Sequence, residues 1–196
     1  MIISDSAIRA SKHLSKLGSK TLSDLINRCG PIDIPTRYDD DPLMGMCQIV
    51  VSQQLSNQAA KSIWGKICDT FPDRSVRIYN LKNQKSTDLG LSNAKKRTLQ
   101  ILLEHGEEWL KIQMGKPDHL RYDALTSLWG IGHWSVSMWE LFVLKKPDIW
   151  ADGDLILKRT SEHLANDAGE ARLDWINCAA PYRSFLALYC WELNNC

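Results

Sequence analysis

The chain has no excess of charge of either sign, since 24 lysines and arginines nearly balance 23 aspartates and glutamates over 196 residues. A net charge of +1 creates no global basic field, so any surface for nucleic acid must be a local patch. No apolar run approaches the ~20 residues that a transmembrane helix needs. The opening Met1-Ile2-Ile3 is too short for a secretory signal, because Asp5 follows almost at once. We therefore expect a cytosolic protein with no membrane partner.

The sequence also lacks the cysteine spacing of a metal centre. None of its six cysteines forms a C-x-x-C pair; eleven residues separate Cys178 from Cys190, and five separate Cys190 from Cys196. This spacing excludes a zinc knuckle and a four-cysteine iron–sulfur loop. The five histidines show no metal-ligand spacing either. We expect reduced thiols, no metal site and no iron–sulfur cluster.

No set of strands, internal repeat or low-complexity tract is evident, and helical periodicity dominates the chain, so the predicted fold class is all-α. Residues 31–42 contain three prolines and are predicted to form a linker. Residues 73–91 are predicted to contain only short pieces of structure and a loop. A helix capped by Ser92 is expected to run through Leu103. Further helices are predicted at 6–17, 21–29, 43–54, 57–70, 105–114, 121–129, 133–145, 155–166 and 181–193.

A short segment with two glycines carries the strongest functional signal. Gly130 and Gly132 flank Ile131 between two predicted helices, and glycine permits a tight turn or the close approach of another backbone. Ile131 would anchor the turn in the core. The helix that begins near His133 would present free N–H groups and a partial positive charge, which suit a phosphate without reading base sequence. The alternative is an ordinary helix–turn–helix corner with a glycine cap.

Four segments follow one another in the order of a known family: Ile49-Val50-Val51-Ser52-Gln53-Gln54-Leu55-Ser56 with Ala59-Ala60, Gly90-Leu91-Ser92-x-x-Lys95, Leu128-x-Gly130-Ile131-Gly132-x-Trp134-Ser135, and Pro181-Tyr182-Arg183-Ser184 through Trp191. Together they resemble the helix-hairpin-helix DNA glycosylases with a downstream aspartate, and within that family the alkylpurine branch (3-methyladenine DNA glycosylase II). The likeness covers roughly residues 40–193. Two departures stand out: nothing before residue 43 resembles the small β-domain of some relatives, and Trp150 is a bulky residue in the loop before the acid.

The resemblance implies an all-α, two-lobed fold with a cleft between the lobes. One lobe is expected to consist of residues 1–43 plus 145–196. The other is expected to span 44–144 and to contain the hairpin at 121–145.

The resemblance also implies a catalytic carboxylate directly before a helix, which selects Asp154 over Asp152. Asp154 would in addition cap that helix, whereas Asp152 is expected to be a solvated loop residue. A rigidly held carboxylate can stabilise the positive charge that develops on the sugar as the base leaves. Glycosylases that also cut the strand have a lysine where Trp134 stands, so we predict a monofunctional enzyme without lyase activity.

Other roles follow from the same resemblance. Trp134, Trp191 and Met138 are predicted to line the pocket for a base that is flipped out of the duplex. Indole faces attract the positive charge of an N-alkylated purine, and core packing is the alternative for each tryptophan. Gln54, or alternatively Leu55, is predicted to fill the vacated stack. Hairpin carbonyls are able to hold a monovalent cation; otherwise we expect no cofactor. Predicted contacts to the DNA backbone come from Gly130, Ile131, Gly132, His133, Ser135, Lys95, Lys158 and Arg183.

The predicted function is therefore hydrolytic removal of alkylated purines, of the 3-methyladenine and 7-methylguanine type, in base excision repair. The expected partner is double-stranded DNA with damaged bases, bound by a monomer in the cytoplasm (at the nucleoid) or in a eukaryotic nucleus. One alternative is a glycosylase of the same fold for uracil or deaminated purines. Others are a helix-hairpin-helix protein that binds DNA without catalysis, and a helical interaction protein that does not touch nucleic acid.

Overall fold

The computed structural model describes residues 3–38, 41–84 and 89–195. Residues 1, 2, 39, 40, 85–88 and 196 lie outside the described residues. Within them the chain forms helices and no strand, which confirms the predicted all-α class. The helices are α1 (Asp5–Leu14), α2 (Lys20–Cys29), α3 (Pro42–Ser52), α4 (Asn57–Thr70), α5 (Arg74–Lys82), α6 (Asn93–Met114), α7 (Asp118–Thr126), α8 (His133–Phe142), α9 (Leu155–Ala168), α10 (Arg172–Cys178) and α11 (Arg183–Asn195).

Side-chain oxygens start many of these helices. In each case the residue before the helix accepts a hydrogen bond from a backbone N–H of the first turn, a group that has no acceptor inside the helix. The cap predicted at Ser92 is confirmed, and Pro42 follows its cap at the first helical position, where its missing N–H is harmless. The capping residues are Ser4, Ser19, Asp41, Ser56, Asp73, Ser92 and Asp154.

Two described helices were not predicted. Helix α5 exposes its apolar Val76 and Tyr79, so it has no clear apolar stripe, and the cap at Asp73 marks its start. Helix α10 is only seven residues long and buries Trp175 and Ile176. The predicted separation near residue 105 is present as a break inside α6, where Gly106 leaves helical geometry with φ +77°.

The chain divides into two compact units, Met1–Arg37 with Glu140–Cys196, and Tyr38–Trp139. In the first unit α11 packs against α9, α1 and α2. Two buried aromatic side chains of this unit, Trp175 and Tyr189, donate to backbone acceptors. Trp175 Nε1 donates to Leu17 O, and the Tyr189 hydroxyl donates to Gly30 O, both at 2.8 Å. Burial raises the pKa of Tyr189 to about 12. These bonds tie the N-terminal helices to the C-terminal ones.

In the second unit α3 is the central helix, and it is apolar on nearly every side. Met46, Ile49, Val50 and Val51 are fully buried, as expected for a helix surrounded by others. Helix α3 packs against α4 and α6, and α5 packs against α6. None of the described helices in either unit is long and apolar enough to cross a bilayer.

Candidate functional site

Asp154 is held at the start of α9 by hydrogen bonds from α9 itself and from Trp191. Its Oδ1 accepts hydrogen bonds from the backbone N–H groups of Ile156 and Leu157, each at 3.0 Å, and from Trp191 Nε1 at 3.4 Å. The predicted capping role is thereby confirmed. The side chain is half-buried and is not sealed in the interior. The structure therefore offers a carboxylate of fixed orientation beside an indole ring.

The loop that leads to Asp154 is fastened to the start of α11. Arg183 forms a two-pronged ion pair with Asp148, with Nε–Oδ1 and Nη2–Oδ2 distances of 2.8 and 2.7 Å. These hydrogen bonds hold the pKa of Asp148 below its usual value. Ser184 Oγ donates to Lys146 O at 2.6 Å and accepts from Ile149 N at 2.9 Å. The same helix carries Trp191, so one element positions both the loop and the indole.

The basic residues predicted to contact the DNA backbone lie in different environments. Arg183 has Asp148 as its partner, so its side chain serves the protein itself in this conformation. Lys95 Nζ donates to Val51 O at 2.7 Å and thus caps the end of α3, and burial lowers the pKa of Lys95. Lys158 is exposed on α9. Contact of these residues with phosphate stays a prediction.

An aromatic platform adjoins Asp154. The rings of Phe142 and Trp191 stack with their centroids 5.6 Å apart and an interplanar angle of 27°. The guanidinium carbon of Arg37 lies 5.2 Å from the Phe142 centroid and 5.9 Å from the Trp191 centroid. Sequence reasoning missed Phe142 and Arg37. Neither belongs to a motif, and only long-range packing brings them beside Trp191.

Cys190 adds a neutral neighbour to this site. Its side chain is fully buried. Burial raises the pKa of the thiol well above its usual range, and the negative charge of Asp154 raises it further. The thiol is therefore protonated near neutral pH, and the carboxylate does not face a second negative charge from this residue.

The predicted hairpin is formed by α7, α8 and the turn between them. Gly130 has φ +82°, and a Cβ at this position would lie 2.0 Å from Thr98 Oγ1, so only glycine fits. Ile131 is 2% exposed, which confirms that it anchors the turn. A Cβ on Gly132 would meet no atom within 4 Å, so the surface above that residue is open.

Helix α8 begins at His133 directly after this turn, and Val136 N donates to Gly132 O. The N–H groups of a helix's first turn lack acceptors within the helix, and the helix dipole adds partial positive charge there. The exposed His133 is oriented by Tyr122, whose hydroxyl lies 2.6 Å from Nδ1. Ser135 is buried and its Oγ accepts a hydrogen bond from Gln53 Nε2, so its predicted contact with phosphate is not available in this conformation.

The turn between α3 and α4 contacts the hairpin through Gln53. Its Nε2 donates to Gly130 O and to Ser135 Oγ, both at 2.9 Å. The next residue, Gln54, is exposed and has φ +55°, a left-handed conformation that is uncommon for residues other than glycine. Leu55 is 38% exposed. The two residues predicted to enter the DNA stack therefore lie on the surface of this turn.

The monovalent cation and the roles of the pocket residues both stay predictions. The Gly130 carbonyl accepts a hydrogen bond from Gln53 Nε2, and binding of a monovalent cation by the hairpin carbonyls stays a prediction. Among the described residues no group of three or more His, Cys, Asp and Glu side chains is arranged to hold a metal ion. Trp134 is half-buried. Met138 is 1% exposed, so in this conformation it packs in the core. The roles of Trp134 and Met138 at a base stay predictions.

Proteins similar in sequence include two from yeasts. The alkylbase DNA glycosidase-like protein mag2 of Schizosaccharomyces pombe is 25% identical over 200 residues, which cover 94% of this chain and 92% of that protein. The DNA-3-methyladenine glycosylase of Saccharomyces cerevisiae is 28% identical over 145 residues, which cover 67% of this chain and 49% of that protein. No protein-family model matches the chain.

Solved structures share the fold. The 3-methyladenine DNA glycosylase Mag1 of Schizosaccharomyces pombe, in complex with abasic DNA, has a TM-score of 0.79 at 21% identity over 96% of this chain and 97% of that one. The DNA-3-methyladenine glycosidase of Bacillus halodurans has a TM-score of 0.72 at 23% identity over 93% and 88%. The likenesses in sequence and in fold confirm the resemblance that the motifs predicted.

Proposed function

We infer that the chain is a helix-hairpin-helix DNA glycosylase of the alkylpurine branch, and we propose that it hydrolyses the N-glycosidic bond of alkylated purines in DNA. Its relatives are named as alkylbase and 3-methyladenine DNA glycosylases, and Mag1 was solved with abasic DNA, the product of such a reaction. The observation that carries the proposal is the half-buried Asp154 carboxylate, oriented by two backbone N–H groups and by the Trp191 indole.

The chemistry needs a negative charge that is already in position. As the base leaves, positive charge develops on the sugar, as in glycoside hydrolysis. A carboxylate whose orientation is set beforehand stabilises this charge without reorganising during the reaction. Asp154 is also suited to accept a proton from the water that attacks the sugar. The helix cap and the indole hydrogen bond fix the orientation of the Asp154 carboxylate, which both roles require.

Recognition of an alkylated base fits the aromatic platform. A purine alkylated on a ring nitrogen is cationic, which makes it a good leaving group and attracts it to the face of an indole. The base must leave the stack to reach Asp154. The exposed Gln54 or Leu55, on the turn between α3 and α4, then fills the gap.

The hairpin supplies a sequence-independent hold on DNA. The open surface above Gly132 and the first turn of α8 suit a phosphate group, and such contacts position a protein on DNA without reading bases. DNA as the partner requires a compartment that contains it, the cytoplasm of a bacterium or the nucleus of a eukaryote. Trp134 stands where bifunctional relatives carry a lysine, so the enzyme leaves an abasic site uncut.

The test is an excision assay on methylated duplex DNA with the wild-type protein and Asp154→Asn. Asparagine also caps helices, so the variant should fold normally, whereas loss of the charge should lower the excision rate at least about 10²-fold. Binding to damaged duplex should persist. Asp152→Asn is the matched control, since Asp152 is 69% exposed and pairs with Arg172.

Two results would contradict the proposal. Base release by Asp154→Asn at the wild-type rate would remove Asp154 from the reaction. Salt-sensitive duplex binding by the wild-type protein without release of any base would favour a helix-hairpin-helix protein that only binds DNA.

A further inference from the structure

The aromatic platform beside Asp154 already has a cation on it. The Arg37 guanidinium lies within cation–π distance of both stacked rings, 5.2 Å from the Phe142 centroid and 5.9 Å from that of Trp191. The Trp191 ring in turn donates its N–H to Asp154. The Arg37 guanidinium therefore lies beside the same ring that donates to the carboxylate.

We propose that Arg37 is a specificity-determining residue, which occupies the aromatic face meant for the flipped base and penalises cationic bases relative to neutral ones. The inference rests on the proposed function, because it assumes that a base reaches the platform of Phe142 and Trp191. It concerns how strongly the site prefers cationic over neutral purine lesions.

The charge of arginine is permanent under all physiological conditions, and its guanidinium has five N–H donors and no acceptor. A cationic base that displaces Arg37 exchanges one cation–π contact for another and brings two positive charges together. A neutral base meets no such repulsion. Its carbonyl or ring-nitrogen acceptors can take hydrogen bonds from the displaced guanidinium. With Arg37 on them, the aromatic rings should therefore prefer cationic over neutral bases less strongly than they would without it.

A purely structural role for Arg37 predicts a different result. If the guanidinium only steadies the stacked rings, its removal should lower stability and slow the excision of every base by the same factor. The ratio of the excision rates for cationic and neutral lesions therefore separates the two roles.

The experiment measures single-turnover excision from duplexes that contain either cationic 7-methylguanine or neutral hypoxanthine, with the wild-type protein, Arg37→Gln and Arg37→Lys. In Arg37→Gln the rate ratio of 7-methylguanine to hypoxanthine should rise about tenfold, since removal of a charge-dependent contact at a ring is of this order. Arg37→Lys keeps the charge and should keep the ratio near the wild-type value. An unchanged ratio in Arg37→Gln overturns the inference.

Arg77→Gln is the matched control. It removes the same charge and a similar ring contact, because the Arg77 guanidinium lies 6.0 Å from the centroid of Trp64, a residue outside the proposed site. The ratio of the excision rates for 7-methylguanine and hypoxanthine in Arg77→Gln should equal that of the wild type. Thermal unfolding of all the variants then shows whether a change in excision rate results from a loss of stability.

A second measurement needs no catalysis. Binding of the cation 7,9-dimethylguaninium and of neutral 9-methylguanine to the free protein is compared by calorimetry. Arg37→Gln should tighten binding of the cation relative to the neutral base. If this shift occurs while no protein releases bases from DNA, the proposed function fails and the role of Arg37 stands. If neither base binds, or the relative affinity does not change, the inference is wrong.

Discussion

The indole nitrogen of Trp191 and Oδ1 of Asp154 are joined by a hydrogen bond of 3.4 Å. The contact links the ring on which a base is proposed to stack with the carboxylate proposed to act on the sugar. Since the same oxygen also caps α9, the orientation of the carboxylate depends on two helices, α9 and α11. Both belong to the same compact unit.

Replacement of Trp191 by phenylalanine removes the indole N–H but leaves a ring to stack on Phe142. One hydrogen bond to a charged group contributes about 1 kcal/mol when it is long and partly exposed. We therefore expect Trp191→Phe to lower kcat about fivefold and to leave KM nearly unchanged. Trp191→Ala, which also removes the stacking surface, should raise KM as well. A change confined to KM in the phenylalanine variant would contradict the positioning role.

Replacement by alanine should affect the two hairpin glycines, Gly130 and Gly132, differently: one change should lower stability and the other should weaken DNA binding. Gly130→Ala places a Cβ against Thr98 in a left-handed backbone, so we expect it to lower the free energy of unfolding by about 1–3 kcal/mol. Gly132→Ala meets no neighbour and should leave stability unchanged, but it should weaken duplex binding if a phosphate approaches there. Urea unfolding and a duplex titration measure the two effects. Equal stability of the two variants would refute this account of the turn.

The ion pair of Asp148 with Arg183 should give stability a defined dependence on pH. Its hydrogen bonds lower the pKa of Asp148 in the folded state, so their contribution is complete above the unfolded-state pKa of about 4 and is lost as the pH falls through the folded-state pKa. We expect Asp148→Asn to be about 1–2 kcal/mol less stable than the wild type at pH 7. The difference should shrink as the pH falls below about 4 and Asp148 becomes protonated. Asp152→Asn, at an exposed loop position, is the control in the same urea titrations.

Gln54 has an unfavourable backbone conformation, and its replacement tests whether the side chain is needed for base excision. Its φ of +55° suits glycine, so Gln54→Gly should raise the free energy of unfolding by about 0.5–1 kcal/mol. The same change removes the predicted plug and should slow base excision. Leu55→Ala distinguishes the two candidates for that role. A glycine variant that is both more stable and fully active would show that the Gln54 side chain does not enter the DNA stack.

The parts of the site that could be predicted from sequence are those set by local rules. Asp154 precedes an apolar helix, so its capping position follows from the residues on either side, and Gly130 follows from the demands of a tight turn. Arg183 belongs to a recognisable segment, yet its bond to Asp148 depends on how a distant loop returns to α11. Arg37 gave no signal at all, because residues far along the chain bring the rings to it.

The burial of the Cys190 thiol affects how this site withstands alkylating agents. Agents that methylate DNA also attack cysteine, and they react with the thiolate rather than the thiol. Full burial and the neighbouring negative charge keep Cys190 protonated and out of reach. The protein thus has no ready target for such electrophiles at this position, immediately next to the indole on which its proposed chemistry depends.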